Sequence, residues 1–152
     1  MDPQNHPPHD ESESPRFPPG TGWLLGLTAF VGLLTLGAML YPFNFRSNAS
    51  GGWLTLMPVG WMAVLGNILL FVPMGVSEGW LGHNVFRRHG VVIVVVAVDA
   101  ALLSLIGQTA QLWIVGRDSS MVELLANTIG GTLGGLLGGA LAPALNAALS
   151  RR

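Results

Sequence analysis

The chain has no cysteine and no lysine, and only a tenth of its 152 residues are charged. The absence of cysteine excludes disulfides, thiolate metal ligands and a cysteine nucleophile together. The shortage of charge excludes an ordinary soluble domain, in which about 25% of residues are Asp, Glu, Lys or Arg. A net charge of −1 leaves no basic footprint, so nucleic acid is not an expected partner. Histidine is scarce as well. His83 and His89 lie outside the long apolar runs, and His6 and His9 lie in a proline-rich tail that suits a solvated spacer better than a ligand set. No HExxH, CxxC or Walker-type pattern occurs, so neither a metal nor a cofactor is expected.

What is present is hydrophobic: half of the residues are apolar, and 21 are glycine. Residues 1–20 form the exception, an acidic Pro-rich stretch with too little apolar surface to offset its ordering entropy, and are expected to be disordered. That tail holds four acids and only Arg16, which is not the basic start of a secretory signal. Four apolar segments follow, at about 22–41, 58–76, 90–114 and 121–145, each long enough to cross a hydrocarbon core as a helix. Trp23, Tyr41, Trp53, Trp61, Trp80 and Trp113 fall near their ends, where interfacial aromatics belong. Pro73 inside the second segment frees the carbonyl of Leu69 and is expected to kink the helix. The expected fold class is therefore all-α: an integral membrane bundle of four transmembrane helices at 21–146, with a disordered tail before it and a short basic end at 147–152.

Arginine positions orient this bundle. Arg16, Arg87, Arg88, Arg151 and Arg152 fall on one side and only Arg46 and Arg117 on the other, which favours both termini in the cytoplasm. The loop around Arg117 then faces outward, as do the ends of the third and fourth segments and Asn44 and Arg46.

That outward end is where polarity collects. On the third segment Ser104, Gln108 and Gln111 share an arc of roughly 60° at 100° per residue. On the fourth, Ser120, Glu123, Asn127, Gly130, Gly134 and Gly138 share an arc of roughly 80°. One stripe is thus polar in its outer half and glycine further in, and small residues at this spacing let helix backbones approach closely. Gln, Asn and Ser in membrane helices commonly bond neighbouring helices, so packing is a competing account of Ser104, Gln108 and Gln111. A carboxylate at helix depth costs about 2.5–3.5 kcal/mol on insertion scales, which singles out Glu123. The spacing of Arg117 and Glu123 allows a salt bridge, and an acid near a helix N-terminus also suits the macrodipole. Asp99 points away from the glutamine face by roughly 120–180°. Three roles stay open for it: a protonated side chain, a partner for another helix, or part of a proton path.

These motifs resemble those of VanZ-like membrane proteins. "NILLFVPMG", Asn67 to Gly75, resembles their N-x-x-x-F-x-P-x-G segment. Ser104 to Gly134 looks like their second motif, and "YPFNF", Tyr41 to Phe45, like the start of their first outer loop. The resemblance covers about 22–140 and matches at Asn67, Phe71, Pro73, Gly75, Ser104, Gln111, Arg117, Asn127, Gly130 and Gly134. It departs at three positions. Gln108 stands where the family usually has glutamate, and Ser120 and Glu123 stand where aspartate is common. The resemblance implies a bacterial cytoplasmic (inner) membrane protein linked to lowered susceptibility to teicoplanin-type glycopeptides.

Three functions compete on this basis. The first is a non-catalytic cell-envelope accessory protein, with an outward pocket of Asn67, Gln108, Gln111, Arg117, Glu123 and Asn127 for a lipid headgroup, lipid-linked glycan or glycopeptide. Arg117 would supply a planar donor fork for phosphate or carboxylate. The second is an intramembrane enzyme with Glu123 as general acid or base, for which the second acid–base role is unfilled. The third is a structural subunit whose stripe of Gly130, Gly134 and Gly138 packs against a second copy or another membrane protein; Pro73 is counted with these glycines as a helix-packing residue. A transporter role for Asp99 and Glu123 has no inverted repeat to support it.

Overall fold

The computed structural model describes residues 21–49, 51–86 and 88–151. The tail expected to be disordered lies outside the described residues, as do Arg87 and Arg152. Four helices make up the fold: α1 (Gly22–Leu40), α2 (Trp61–Val85), α3 (His89–Gln111) and α4 (Met121–Leu149). Each is long and apolar enough to cross a membrane. The all-α four-helix reading of the sequence therefore holds.

Local chemistry sets the ends. Tyr41 precedes Pro42 and takes an extended conformation, which a residue before proline favours, so α1 stops at Leu40. α4 opens on a serine N-cap: the Ser120 hydroxyl accepts from the Glu123 backbone N–H at 3.4 Å, and Glu123 supplies the acid in the first turn. α2 is continuous through Pro73 and runs nine residues past the expected end, to Val85. The sequence there, with Glu78, His83 and Asn84, suggests a loop. It stays helical where Trp80 and Asn84 meet Asn146 of α4. Trp80 Nε1 donates to Asn146 Oδ1 at 2.8 Å, Asn146 Nδ2 donates to Asn84 Oδ1 at 2.7 Å, and Asn84 Nδ2 donates to the Trp80 carbonyl at 2.9 Å. The same network carries α4 past the expected end at 145, to Leu149.

Packing differs from that of a soluble bundle, with many large apolar side chains outside and only a small core inside. Phe30, Leu33, Leu69, Val94 and Ile106 are exposed, while the core is the small cluster of Met39, Phe71, Met74 and Ala100. Glycine makes the tightest contact, between α2 and α4. A Cβ on Gly130, Gly134 or Gly138 would overlap the carbonyl oxygen of Ile68, Val72 or Val76 respectively. The pairs advance in step, so the two helices run parallel with their backbones touching. A second stripe lies beside the first: Cβ atoms on Gly75 and Gly79 would overlap the carbonyls of Gly131 and Gly135, and Gly131 and Gly135 abut Ala100 and Val96 of α3. Gly130, Gly134 and Gly138 thus pack helix to helix within the chain, which weighs against the reading in which they pack against another protein. That stripe is covered by α2 of the same chain, because only glycine permits so close an approach.

Candidate functional site

The polar residues of α3 and α4 meet the 41–60 and 112–120 loops at one end of the bundle. Main-chain bonds stitch the two loops together. Arg46 N donates to the Trp113 carbonyl at 2.8 Å and Val115 N to the Asn44 carbonyl at 3.0 Å, around a bridge between Phe45 and Ile114. Further along, Thr55 N donates to the Ser119 carbonyl and Met121 N to the Thr55 carbonyl, both at 3.0 Å. Side chains reinforce the seam. Arg46 Nη2 donates to the Ile114 carbonyl at 3.0 Å, Leu54 N donates to Ser119 Oγ at 3.1 Å, and Trp53 Nε1 donates to Thr109 Oγ1 at 3.2 Å. Ile114 and Ser119 are both fully buried by this closure.

Under the loops, the α3 amides tie the bundle to α4. Gln108 is fully buried; its Oε1 accepts the Ser120 backbone N–H at 2.7 Å and its Nε2 donates to Glu123 Oε2 at 3.0 Å. One amide thus fills an unpaired N–H at the start of α4 and holds the acid of its first turn. One turn deeper, Asn127 Nδ2 donates to Ser104 Oγ at 2.9 Å. Gln111 Nε2 donates to the Met39 carbonyl at 3.0 Å, and Arg117 Nη2 reaches the same oxygen at 3.3 Å. That carbonyl belongs to the last turn of α1, where helix carbonyls lack intrahelical donors. Gly107 admits the Met39 side chain, which a Cβ there would overlap.

Above this scaffold lies a cavity of about 380 Å³, lined by the 55–60 segment together with Gly116, Arg117, Asp118, Ser120 and Glu123. The sequence-derived site is therefore divided. Arg117 and Glu123 line the cavity. Gln108, Gln111 and Asn127, at most 1% exposed, lie outside its lining and position it. Asn67 is half-buried on α2 and makes no hydrogen bond to the cluster among the described residues. The salt bridge that the spacing of Arg117 and Glu123 allows does not form among the described residues. Arg117 turns to the α1 carbonyl, and Glu123 takes the Gln108 amide.

Two participants escape a reading of the sequence. Asp118 lines the cavity, and its position beside Arg117 in the loop between α3 and α4 is the signal that points to it. The Met39 carbonyl leaves no trace in side-chain chemistry. Two buried acceptors, Gln111 Oε1 and Asn127 Oδ1, have no hydrogen-bond partner among the described residues.

Asp99 belongs elsewhere. It lines a separate cavity of about 510 Å³ among α1, α2 and α3, together with Thr28 and Glu78. Glu78 Oε2 and Thr28 Oγ1 are buried there without hydrogen-bond partners among the described residues. Glu78 reads as a loop residue in the sequence but stands inside α2.

A family model described as VanZ/LLP1 matches residues 19–141. The chain belongs to the VanZ/LLP1 family. Neither a curated protein nor a solved structure matches it. The VanZ-like resemblance read from Asn67–Gly75 and Ser104–Gly134 agrees with the family match, and with four apolar helices this is a VanZ-like, multi-pass membrane protein. The two bonds of Gln108 give the glutamine there a local account. A glutamate there would still accept the Ser120 N–H, but it would face Glu123 without a donor, whereas the amide serves both neighbours.

Proposed function

We propose that this VanZ-like protein is a non-catalytic cell-envelope accessory protein of the bacterial cytoplasmic membrane, with both termini in the cytoplasm. Its outward cavity holds the polar headgroup of a lipid, a lipid-linked glycan or a glycopeptide. The observation that carries the proposal is the cavity at Arg117, where charged side chains converge without neutralising one another. The two stitched loops and the buried amides beneath preorganise it, which lowers the ordering cost of binding. Arg117 uses one Nη2 bond on the Met39 carbonyl and keeps further guanidinium donors for a phosphate or carboxylate.

Binding accounts for the site better than catalysis does. Glu123 accepts from the Gln108 amide, and no hydroxyl, thiol or imidazole is hydrogen-bonded to its carboxylate among the described residues. Ser104, Ser119 and Ser120 each accept a structural hydrogen bond, and none is paired with a base that would activate it. A role in glycopeptide susceptibility follows if the headgroup held here belongs to the drug or to the lipid-linked precursor that it recognises.

The cellular test is teicoplanin susceptibility of a host that lacks this protein, complemented with wild type, Arg117→Ala or Asp99→Asn. The expected result is that wild type and Asp99→Asn lower susceptibility and Arg117→Ala does not. An unchanged effect with Arg117→Ala contradicts the proposal.

A further inference from the structure

The cavity's charges also bear on which headgroup it takes, an inference that rests on reading the cavity as a binding site. Its charged lining is one guanidinium, Arg117, and two carboxylates, Asp118 and Glu123. Among the described residues none of the three pairs with another. Arg117 bonds the Met39 carbonyl at 3.3 Å, Glu123 takes the Gln108 amide at 3.0 Å, and the exposed Asp118 side chain makes no hydrogen bond. A lining of formal charge −1 is poorly matched to a headgroup that is only anionic. Such a group gains at Arg117 and is repelled by two carboxylates in the same cavity. A headgroup that is only cationic meets the opposite conflict at the guanidinium.

A headgroup with both charges a few bonds apart meets neither conflict. A phosphate diester suits the planar donors of Arg117. Carboxylates only accept hydrogen bonds, so their natural partner is a primary ammonium with three N–H donors. A quaternary ammonium has no such donors and is recognised through aromatic faces. No aromatic ring lines this cavity.

We propose that the cavity selects a zwitterionic phosphate–ammonium headgroup, with the phosphate on Arg117 and the primary ammonium on Asp118 and Glu123. The same chemistry is offered by a membrane phospholipid and by a soluble phosphorylated amine.

The test uses the full chain in mild detergent, given equal amounts of phosphoethanolamine, phosphocholine and phosphoglycerol lipids with identical acyl chains, and native mass spectrometry of the lipids retained. The phosphoethanolamine lipid is expected to be favoured about fivefold over each of the others, the size of one well-placed ion pair. Asp118→Asn removes that preference. Because Asp118 is exposed and makes no side-chain hydrogen bond, folding is not at stake in this variant. Arg117→Ala lowers retention of the phosphoethanolamine lipid and of the other two. Displacement by millimolar glycerophosphoethanolamine assigns the site to a soluble headgroup, and resistance to it assigns the site to the lipid; both outcomes support the selectivity. Retention of phosphoglycerol equal to or above phosphoethanolamine, still dependent on Arg117, overturns the zwitterion selectivity and leaves the binding site standing. Retention of every lipid unchanged by Arg117→Ala overturns the binding site itself.

Discussion

Gln108 and Glu123 form one unit across α3 and α4: the amide donates to the carboxylate at 3.0 Å while its oxygen holds the Ser120 backbone N–H at 2.7 Å. Both ends of the amide are used, so the position tolerates no change that removes the donor. Gln108→Glu leaves the Ser120 bond in place and sets two carboxyl groups against each other. The expected cost is about 1–3 kcal/mol, that of a buried polar contact left unsatisfied. It is measured as a lower melting temperature in detergent. Adding Glu123→Gln to that variant restores the donor from the other side and should recover most of the loss. A double variant no more stable than Gln108→Glu alone would refute the pairing.

The glycine interface gives a position-specific expectation. A Cβ on Gly134 would overlap the Val72 carbonyl, and backbone cannot move aside as a flexible side chain can. Gly134→Ala should therefore destabilise by at least the 1–3 kcal/mol typical of overpacking. Gly139→Ala, whose nearest neighbour is the Gly79 carbonyl at 3.8 Å, should be neutral or slightly stabilising. Thermal unfolding of the two variants side by side checks this. Equal stability would show that α2 and α4 are not in backbone contact.

The lack of native cysteine makes topology directly measurable. Single cysteines at Ser47, in the exposed first loop, and at Ser150, past the end of α4, report on opposite ends of the bundle. A membrane-impermeant maleimide should label Ser47→Cys in intact cells, and Ser150→Cys only after permeabilisation. The reverse pattern would place the Arg117 cavity in the cytoplasm.

Much of this architecture is legible in the sequence because lipid imposes long apolar runs, and four such runs give four helices. Glycine spacing at Gly130, Gly134 and Gly138 shows a close helix contact, but not that α2 is the partner, since Ile68, Val72 and Val76 carry no mark of it. The end of α2 is hidden for a related reason. Asn84 looks like a loop residue until Asn146, 62 positions away, supplies a partner. In the site, helical arcs place Gln108, Gln111 and Asn127 together, yet periodicity does not tell a lining residue from a supporting one. Nor does spacing decide between the expected Arg117–Glu123 pair and what forms. The competitor is the Met39 carbonyl, a main-chain group 78 positions from Arg117.

Arg117 separates binding from folding. Among the described residues its one side-chain hydrogen bond goes to a carbonyl that Gln111 also serves, so Arg117→Ala should leave the stability within about 0.5 kcal/mol of wild type. Circular dichroism melts in detergent check this, and a large loss would make Arg117 a structural residue instead.

The most direct measurement of the central claim is native mass spectrometry of wild type, Arg117→Ala and Asp99→Asn purified from their own membrane in mild detergent. The proposed binding cavity predicts a defined lipid or glycolipid adduct on wild type and Asp99→Asn that is missing from Arg117→Ala. The same adducts on all three would contradict it, and would leave the polar residues of α3 and α4 with no role beyond joining helices.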